Sequence, residues 1–219
     1  MLSAKYPYIF IITYGRSGST LLQGILNTIP GYCIRGENNG VVNYLRKSSQ
    51  RLSEAHQKFS QIGITPADSW YGIDLFQRKT YLKAIGELIV KEVLRPPKDT
   101  RCTGFKEIRY TRNMVGDLGA HINFMRQVFP GAGFVFNSRN LDDVVKSGWW
   151  KDHANPREHL EDFEANMKTA FERHAEYSIW IRYDDYIVDP GTLSALFDFL
   201  KEPFDLEGVQ NTLSLKHSG

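Results

Sequence analysis

Four strand-like apolar runs punctuate the chain, at about Tyr8–Thr13, Arg101–Lys106, Gly133–Ser138 and Ser178–Arg182. Between them the spacing of apolar positions turns helical. A first helix is predicted from about Ser19 to Thr28, halted by Pro30-Gly31. Leu82, Ile85, Leu88 and Ile89 mark one face of a helix within Leu75–Leu94, which ends before Pro96-Pro97. Leu141–Trp149 predicts another, and Pro156–Tyr177 a long amphipathic one with Phe163, Met167, Ala170 and Phe171 on its apolar face. Residues 37–74 are polar, mixed and aromatic-tipped, and read as a helical excursion over a cleft that opens with a helix over Asn38–Arg46. Strands alternating with helices predict an α/β fold in three layers, with a mostly parallel central sheet covered by helices on both faces. No repeat, low-complexity tract or linker divides the chain, so residues 1–219 read as one domain.

Composition narrows the picture only slightly. A chain of 219 residues with 42% apolar content can bury a full α/β core, roughly 70% of the surface its unfolded form exposes. A net charge of +2 gives no general attraction to nucleic acid or to a membrane, so any anion site is local. No apolar run reaches the length of a membrane span and the first residues lack a signal-peptide pattern, which together predict a cytoplasmic protein. Cys33 and Cys102 have neither disulfide-framework nor metal-ligand spacing and read as buried free thiols; no metal site is expected.

Candidate chemistry begins where the first strand ends. Ile11-Ile12-Thr13-Tyr14-Gly15-Arg16-Ser17-Gly18-Ser19-Thr20-Leu21-Leu22 runs from strand through a glycine- and hydroxyl-bearing turn into a helix. That order aims backbone N–H groups at an anion, where the helix dipole favours negative charge. Arg16 adds a planar fork suited to phosphate or sulfate. The turn ends Gly18-Ser19-Thr20, without the lysine of the nucleoside-triphosphate loop. An ordinary strand–turn–helix junction is the plainer alternative. A second anion element follows Phe134–Ser138: Arg139 stands at a strand's carboxyl end, the edge at which open α/β sheets bind ligands. Ser147 lies about two helical turns further on, which predicts a second phosphate site apart from the first. Against this stands the pairing of Arg139 with Asp142 or Asp143 on a solvated helix start.

Together the two elements resemble the sulfotransferase family, whose donor is 3′-phosphoadenosine-5′-phosphosulfate (PAPS). Arg16 to Thr20 matches the family's Arg-Ser-Gly-Thr-Thr loop. Arg139, Asn140, Asp143 and Ser147 match its Arg-Asn-x-x-Asp-x-x-x-Ser element. Ile181-Arg182-Tyr183-Asp184-Asp185-Tyr186, with Asp189-Pro190 and Phe197–Leu200, resembles its Tyr-Glu-Asp-Leu…Asp-Pro…Phe-Leu segment. The resemblance implies a P-loop-like fold and PAPS as co-substrate. It places Arg16, Ser17, Gly18, Ser19 and Thr20 on the 5′-phosphosulfate, Arg139 and Ser147 on the 3′-phosphate, and Tyr183 at the adenine. Tyr183 reads equally well as a core tyrosine. The chain lacks the C-terminal Arg-Lys-Gly…Gly segment of cytosolic members, so part of the nucleotide lid is expected to be supplied otherwise.

Sulfuryl transfer builds charge on the leaving phosphate's bridging oxygen, so a cation placed there lowers the barrier. Arg16 and Lys106 are the candidates; the alternatives are Arg16 pairing with a carboxylate behind the loop and Lys106 pairing with Glu107. The histidine that cytosolic relatives carry two residues after this lysine is replaced by Ile108. The tyrosylprotein branch instead has a glutamate in a Gly-Glu context downstream of the loop arginine, which Gly36-Glu37 matches. Glu37 is therefore the expected general base, with a role capping the following helix as its alternative. His153 is a second candidate base, and Glu107 reads as a partner that orients Lys106. Trp70, Tyr71, Trp149 and Trp150 offer flat faces for a sugar or aromatic acceptor, or line the core. The loop's similarity to carbohydrate sulfotransferases points to a hydroxyl or amine acceptor on a saccharide or glycolipid. A small-molecule or nucleotide kinase and a non-catalytic binder of PAPS or its bisphosphate product are the competing functions.

Overall fold

The computed structural model describes residues 3–60 and 64–214. In chain order, β1 (Tyr8–Ile12) leads through α1 (Ser19–Leu26) to β2 (Tyr32–Arg35). Two helices, α2 (Val41–Phe59) and α3 (Arg78–Leu88), precede β3 (Cys102–Glu107). A short α4 (Arg112–Val115) and α5 (Leu118–Val128) connect to β4 (Gly133–Ser138). Then come α6 (Leu141–Val144), α7 (Pro156–Arg173) and β5 (Ser178–Arg182). Three more helices follow: α8 (Tyr183–Val188), α9 (Ser194–Leu200) and α10 (Leu206–Ser214).

All five strands are parallel, in the order β2-β3-β1-β4-β5. Because strand side chains alternate between faces, β1 feeds two cores. Phe10 and Ile12 pack with Phe105, Phe134 and Phe136 under α2, α3, α5 and α7, whereas Ile9 and Ile11 pack with Val135 and Ile181 under α1, α8, α9 and α10. Burial on both faces explains why these strands read as unbroken apolar runs. The expected three-layer α/β architecture is present.

Register positions the chemistry. Ile11 lies opposite Lys106 on one side and Val135 on the other, so the carboxyl ends of β3, β1 and β4 form one edge. The chain leaves β1 towards β2 and later crosses from β3 to β4, so strand order reverses around β1. That switch point is where such sheets hold ligands.

Several elements differ from the sequence reading. The edge strand β2 was not anticipated. The helix expected over Leu141–Trp149 stops at Val144; Ser147 is extended and Gly148 turns at φ +57, ahead of a 3-10 turn over Gly148–Asp152. This turn drops Trp150 into the core, where its Nε1–H donates to the Gly15 carbonyl at 3.0 Å. Within Leu75–Leu94, α3 gives way to a π-helical turn over Ile89–Leu94. Leu82, Ile85 and Ile89 form the buried seam, with Gly86 against the Val128 carbonyl, and Leu88 falls outside it, exposed. The predicted helix after residue 37 runs on to Phe59. Cys102 is buried, but Cys33 on the edge strand is only half-buried; both are free.

Candidate active site

The turn after β1 is braced from within. Thr13 Oγ1 donates to the Asn137 carbonyl at 2.7 Å and lies 2.6 Å from Ser17 Oγ; Asn137 Nδ2 donates back to the Ser17 carbonyl at 2.9 Å. Ser17 is fully buried, its hydroxyl against Thr13, and it does not line the cavity described below. Gly18 closes the turn at φ +78, with the Tyr183 ring where a Cβ would stand. A side chain there would meet both a left-handed backbone and an aromatic wall. The backbone N–H groups of Gly18, Ser19 and Thr20 donate to nothing else among the described residues. These are the orphan donors of a helix start.

Arg139 leaves the end of β4 towards this turn. Its backbone is pinned by the Tyr14 hydroxyl, which accepts the Arg139 N–H at 2.9 Å and lies 2.6 Å from Glu164 Oε1. The Arg139 Nη1 donates to the Arg16 carbonyl at 3.1 Å, and the guanidinium lies 4.7 Å over the Tyr183 ring. Its Nε is buried and has no partner. Arg139 makes no pair with Asp142 or Asp143: Asp142 is taken by Arg157 at 2.6 Å, and Asn140 caps α6. Ser147 accepts from Arg16 Nε at 3.0 Å. The two anion elements, expected apart, are thus locked to each other through Arg16, because the break after α6 brings Ser147 back over the loop.

Opposite stands a wall of paired charges. Lys106, at the end of β3 and only 6% exposed, donates to Glu37 Oε1 at 2.6 Å. Arg109 donates to Glu37 Oε2 at 2.9 Å. Burial works against ionisation of Glu37, but hydrogen bonds and charge from Lys106 and Arg109 outweigh it and hold the carboxyl below its usual range. Glu107 is not the partner of Lys106. Successive strand residues face opposite ways, and Glu107 instead accepts the backbone N–H groups of Ile108, Arg109, Asn38 and Gly40 at 2.8–3.1 Å. It staples the segment bearing Glu37 to the end of β3. Glu37 does not cap α2; Asn38 Oδ1 accepts from Val41 there.

A cavity of about 430 Å³ separates the two walls, lined by Arg16, Ser19, Thr20 and Arg139 on one side and by Glu37 and Lys106 on the other. The unmet donors at the α1 start and the orphan Nε of Arg139 fit an anion carrying more than one phosphate-like group. A profile described as the sulfotransferase family matches residues 7–206. The chain belongs to the sulfotransferase family.

The sulfotransferase fold is shared with two solved structures. The sulfotransferase domain from the Synechococcus PCC 7002 olefin synthase is 21% identical, with a TM-score of 0.62 over 98% of this chain and 80% of that one. The sulfotransferase domain from the curacin biosynthetic pathway is 17% identical, with a TM-score of 0.54 over 95% of this chain and 78% of that one. No curated protein matches the sequence. Sulfuryl transfer is the general activity this membership establishes, and the family generally draws on PAPS.

Other residues of the sulfotransferase fall in different places from those expected. His153 bonds the neighbouring Ala154 carbonyl, rests against Trp150 and His159, and does not line the cavity. Trp149 does line it, half-exposed against Gly15, whereas Trp150 is core. Of the described residues between 37 and 74, only Glu37 reaches this cavity; Trp70 and Tyr71 border a separate hollow with Leu52 and Phe76. Ile108 lines the cavity. Sequence reasoning missed Arg109, whose partner Glu37 lies 72 residues upstream. It missed Ile187 and Leu213 as well, which add apolar lining from α8 and α10. Among the described residues, no helix is long and apolar enough to cross a membrane.

Proposed function

We propose that this sulfotransferase moves a sulfuryl group from PAPS to a hydroxyl of a carbohydrate or glycolipid, with Glu37 as general base and no metal. The observation that carries the reading is the single cavity holding unpaired anion donors on one wall and the Lys106–Glu37 pair on the other. In this reading PAPS supplies an activated sulfuryl group on a good leaving phosphate. Ser19, Thr20 and the N–H groups of the α1 start bind the phosphosulfate end, Arg139 and Ser147 the 3′-phosphate, and Tyr183 borders the adenine. Arg16 and Lys106 face the bridging oxygen on which charge develops as the sulfur–oxygen bond breaks and the electron pair stays with the phosphate. Glu37 takes the proton of the acceptor hydroxyl as the new oxygen–sulfur bond forms. Trp149 offers a flat, half-exposed face at the rim for the acceptor ring. The sheet and its helices work as one cytoplasmic domain.

The test is transfer from labelled PAPS to a panel of saccharide, glycolipid and amine acceptors in the presence of EDTA. Transfer by the wild-type chain that persists in EDTA and is lost in Glu37→Gln supports the reading. Transfer to ATP-dependent products only, or none with any acceptor despite tight binding of the bisphosphate product, overturns it in favour of a kinase or a non-catalytic binder.

A further inference from the structure

Both oxygens of Glu37 are engaged, one by Lys106 and the other by Arg109. Each oxygen of a carboxylate held this way keeps a second lone pair, but the cation bonded to it lowers its readiness to take a proton until that cation lets go. The two cations are not equally free to do so. Lys106 lines the cavity and carries its charge on a flexible four-carbon stem, whereas Arg109 stands outside the lining. Arg109 is also anchored from behind: the same Nη1 that meets Glu37 lies 3.2 Å from Glu107 Oε1, and its backbone N–H donates to that oxygen at 3.1 Å. Glu107 is buried and bonded to Asn38 and Gly40, on either side of the turn that follows Glu37. Arg109 is thereby fixed to the frame that carries the carboxylate.

We propose that Arg109 is the positioning residue that holds Glu37 by Oε2 and keeps it ionised while Lys106 turns from Oε1 to the donor, leaving Oε1 to take the acceptor's proton. This rests on the reading of Glu37 as the base. The charge balance around Glu37 explains why such a residue is needed. Lys106 and Arg109 face it from β3 and the segment after it, with Glu107 behind; Arg16, Arg139 and Tyr183 line the cavity from the β1 loop, the end of β4 and α8. A bound polyanion neutralises Arg16 and Arg139 and draws on Lys106, and its own charge favours a protonated Glu37. Arg109 is the cation left to oppose that change. A protonated Glu37 has no capacity to accept the proton released in transfer, so losing Arg109 removes activity first at the acidic end of the pH range.

The experiment is a carbon-13 carboxyl titration of Glu37 with and without adenosine 3′,5′-bisphosphate, run beside the pH profile of kcat/KM. In the wild type, the Glu37 midpoint is expected to stay below the usual carboxylate range even with bisphosphate bound. Arg109→Gln is expected to raise the midpoint in the complex by about one pH unit or more, the effect of losing one adjacent opposite charge. The acidic limb of kcat/KM for the acceptor, measured at saturating PAPS so that it reports the donor complex, moves the same way, and Arg109→Lys recovers part of both shifts. A role in folding alone would lower the unfolding temperature without moving either. The proposal is overturned by an Arg109→Gln midpoint in the complex that coincides with wild type. It is overturned equally, with no variant needed, by a wild-type midpoint that rises into the usual range when bisphosphate binds. Full turnover in Glu37→Gln brings down the base assignment itself; an inert Glu37→Gln with an unmoved Arg109→Gln midpoint brings down only the role of Arg109.

Discussion

On the wall built by the β1 loop and the end of β4, donors wait without partners: the N–H groups at the α1 start and the buried Nε of Arg139. On the facing wall the charges are already paired, Lys106 and Arg109 with Glu37 and Arg109 with Glu107. The difference separates two ways of preparing a site. Unpaired donors held by Thr13, Asn137 and Tyr14 need no rearrangement to receive an anion, which favours binding. Paired charges must exchange partners before they act, so their interactions differ between the resting and reacting states. Only interactions of that second kind lower the chemical barrier rather than strengthen binding throughout.

The sharpest way to break this contrast is on the paired wall. Glu37→Gln is expected to lower turnover about 10²–10⁴-fold, the usual scale for a lost general base, with bisphosphate affinity nearly intact. Steady-state transfer and calorimetry on the same preparation check it; equal losses in both would merge the walls into one binding surface. Glu107→Ala tests the frame beneath. It strips a buried carboxylate from four backbone N–H groups and Arg109, and should cost roughly 3–5 kcal/mol of folding stability, read from urea unfolding. A loss below about 1 kcal/mol, the scale of an exposed ion pair, would deny Glu107 its stapling role. On the open wall, Arg139→Ala should weaken the bisphosphate by roughly 1.5–3 kcal/mol through loss of charge-assisted hydrogen bonds. Turnover at saturating donor should fall much less. An unchanged preference for the 3′-phosphorylated over the 3′-dephospho nucleotide would move the 3′-phosphate site elsewhere.

The two walls also differ in how far the sequence disclosed them. The open wall is local: the strand, the glycine turn and the start of α1 occupy a few consecutive residues, and Arg139 follows its strand directly, so spacing alone placed them at one sheet edge. Even there, the orientation of Ser17 escaped, because its burial depends on Thr13 and on Asn137 of another strand. The paired wall is assembled from distant segments. Glu37 and Lys106 were each visible as candidates, but neither their direct contact nor the part played by Arg109 follows from local pattern. Glu107 was assigned to Lys106 because the two are neighbours in sequence, whereas a strand sends neighbours to opposite faces. The strand β2 was hidden for a related reason. Its four residues form an edge, and its one strand partner is β3, from a distant part of the chain. The break after Val144 is likewise imposed from outside, by the burial of Trp150 against the Gly15 carbonyl. Family motifs anticipated the family better than periodicity anticipated these elements.

The most direct measurement is calorimetric titration of metal-free protein with adenosine 3′,5′-bisphosphate, beside 5′-AMP and ATP. The account predicts a clear preference for the bisphosphate, because its two phosphates reach the α1 start and Arg139 together. Binding of ATP as tight as that of the bisphosphate, or tighter, would contradict it.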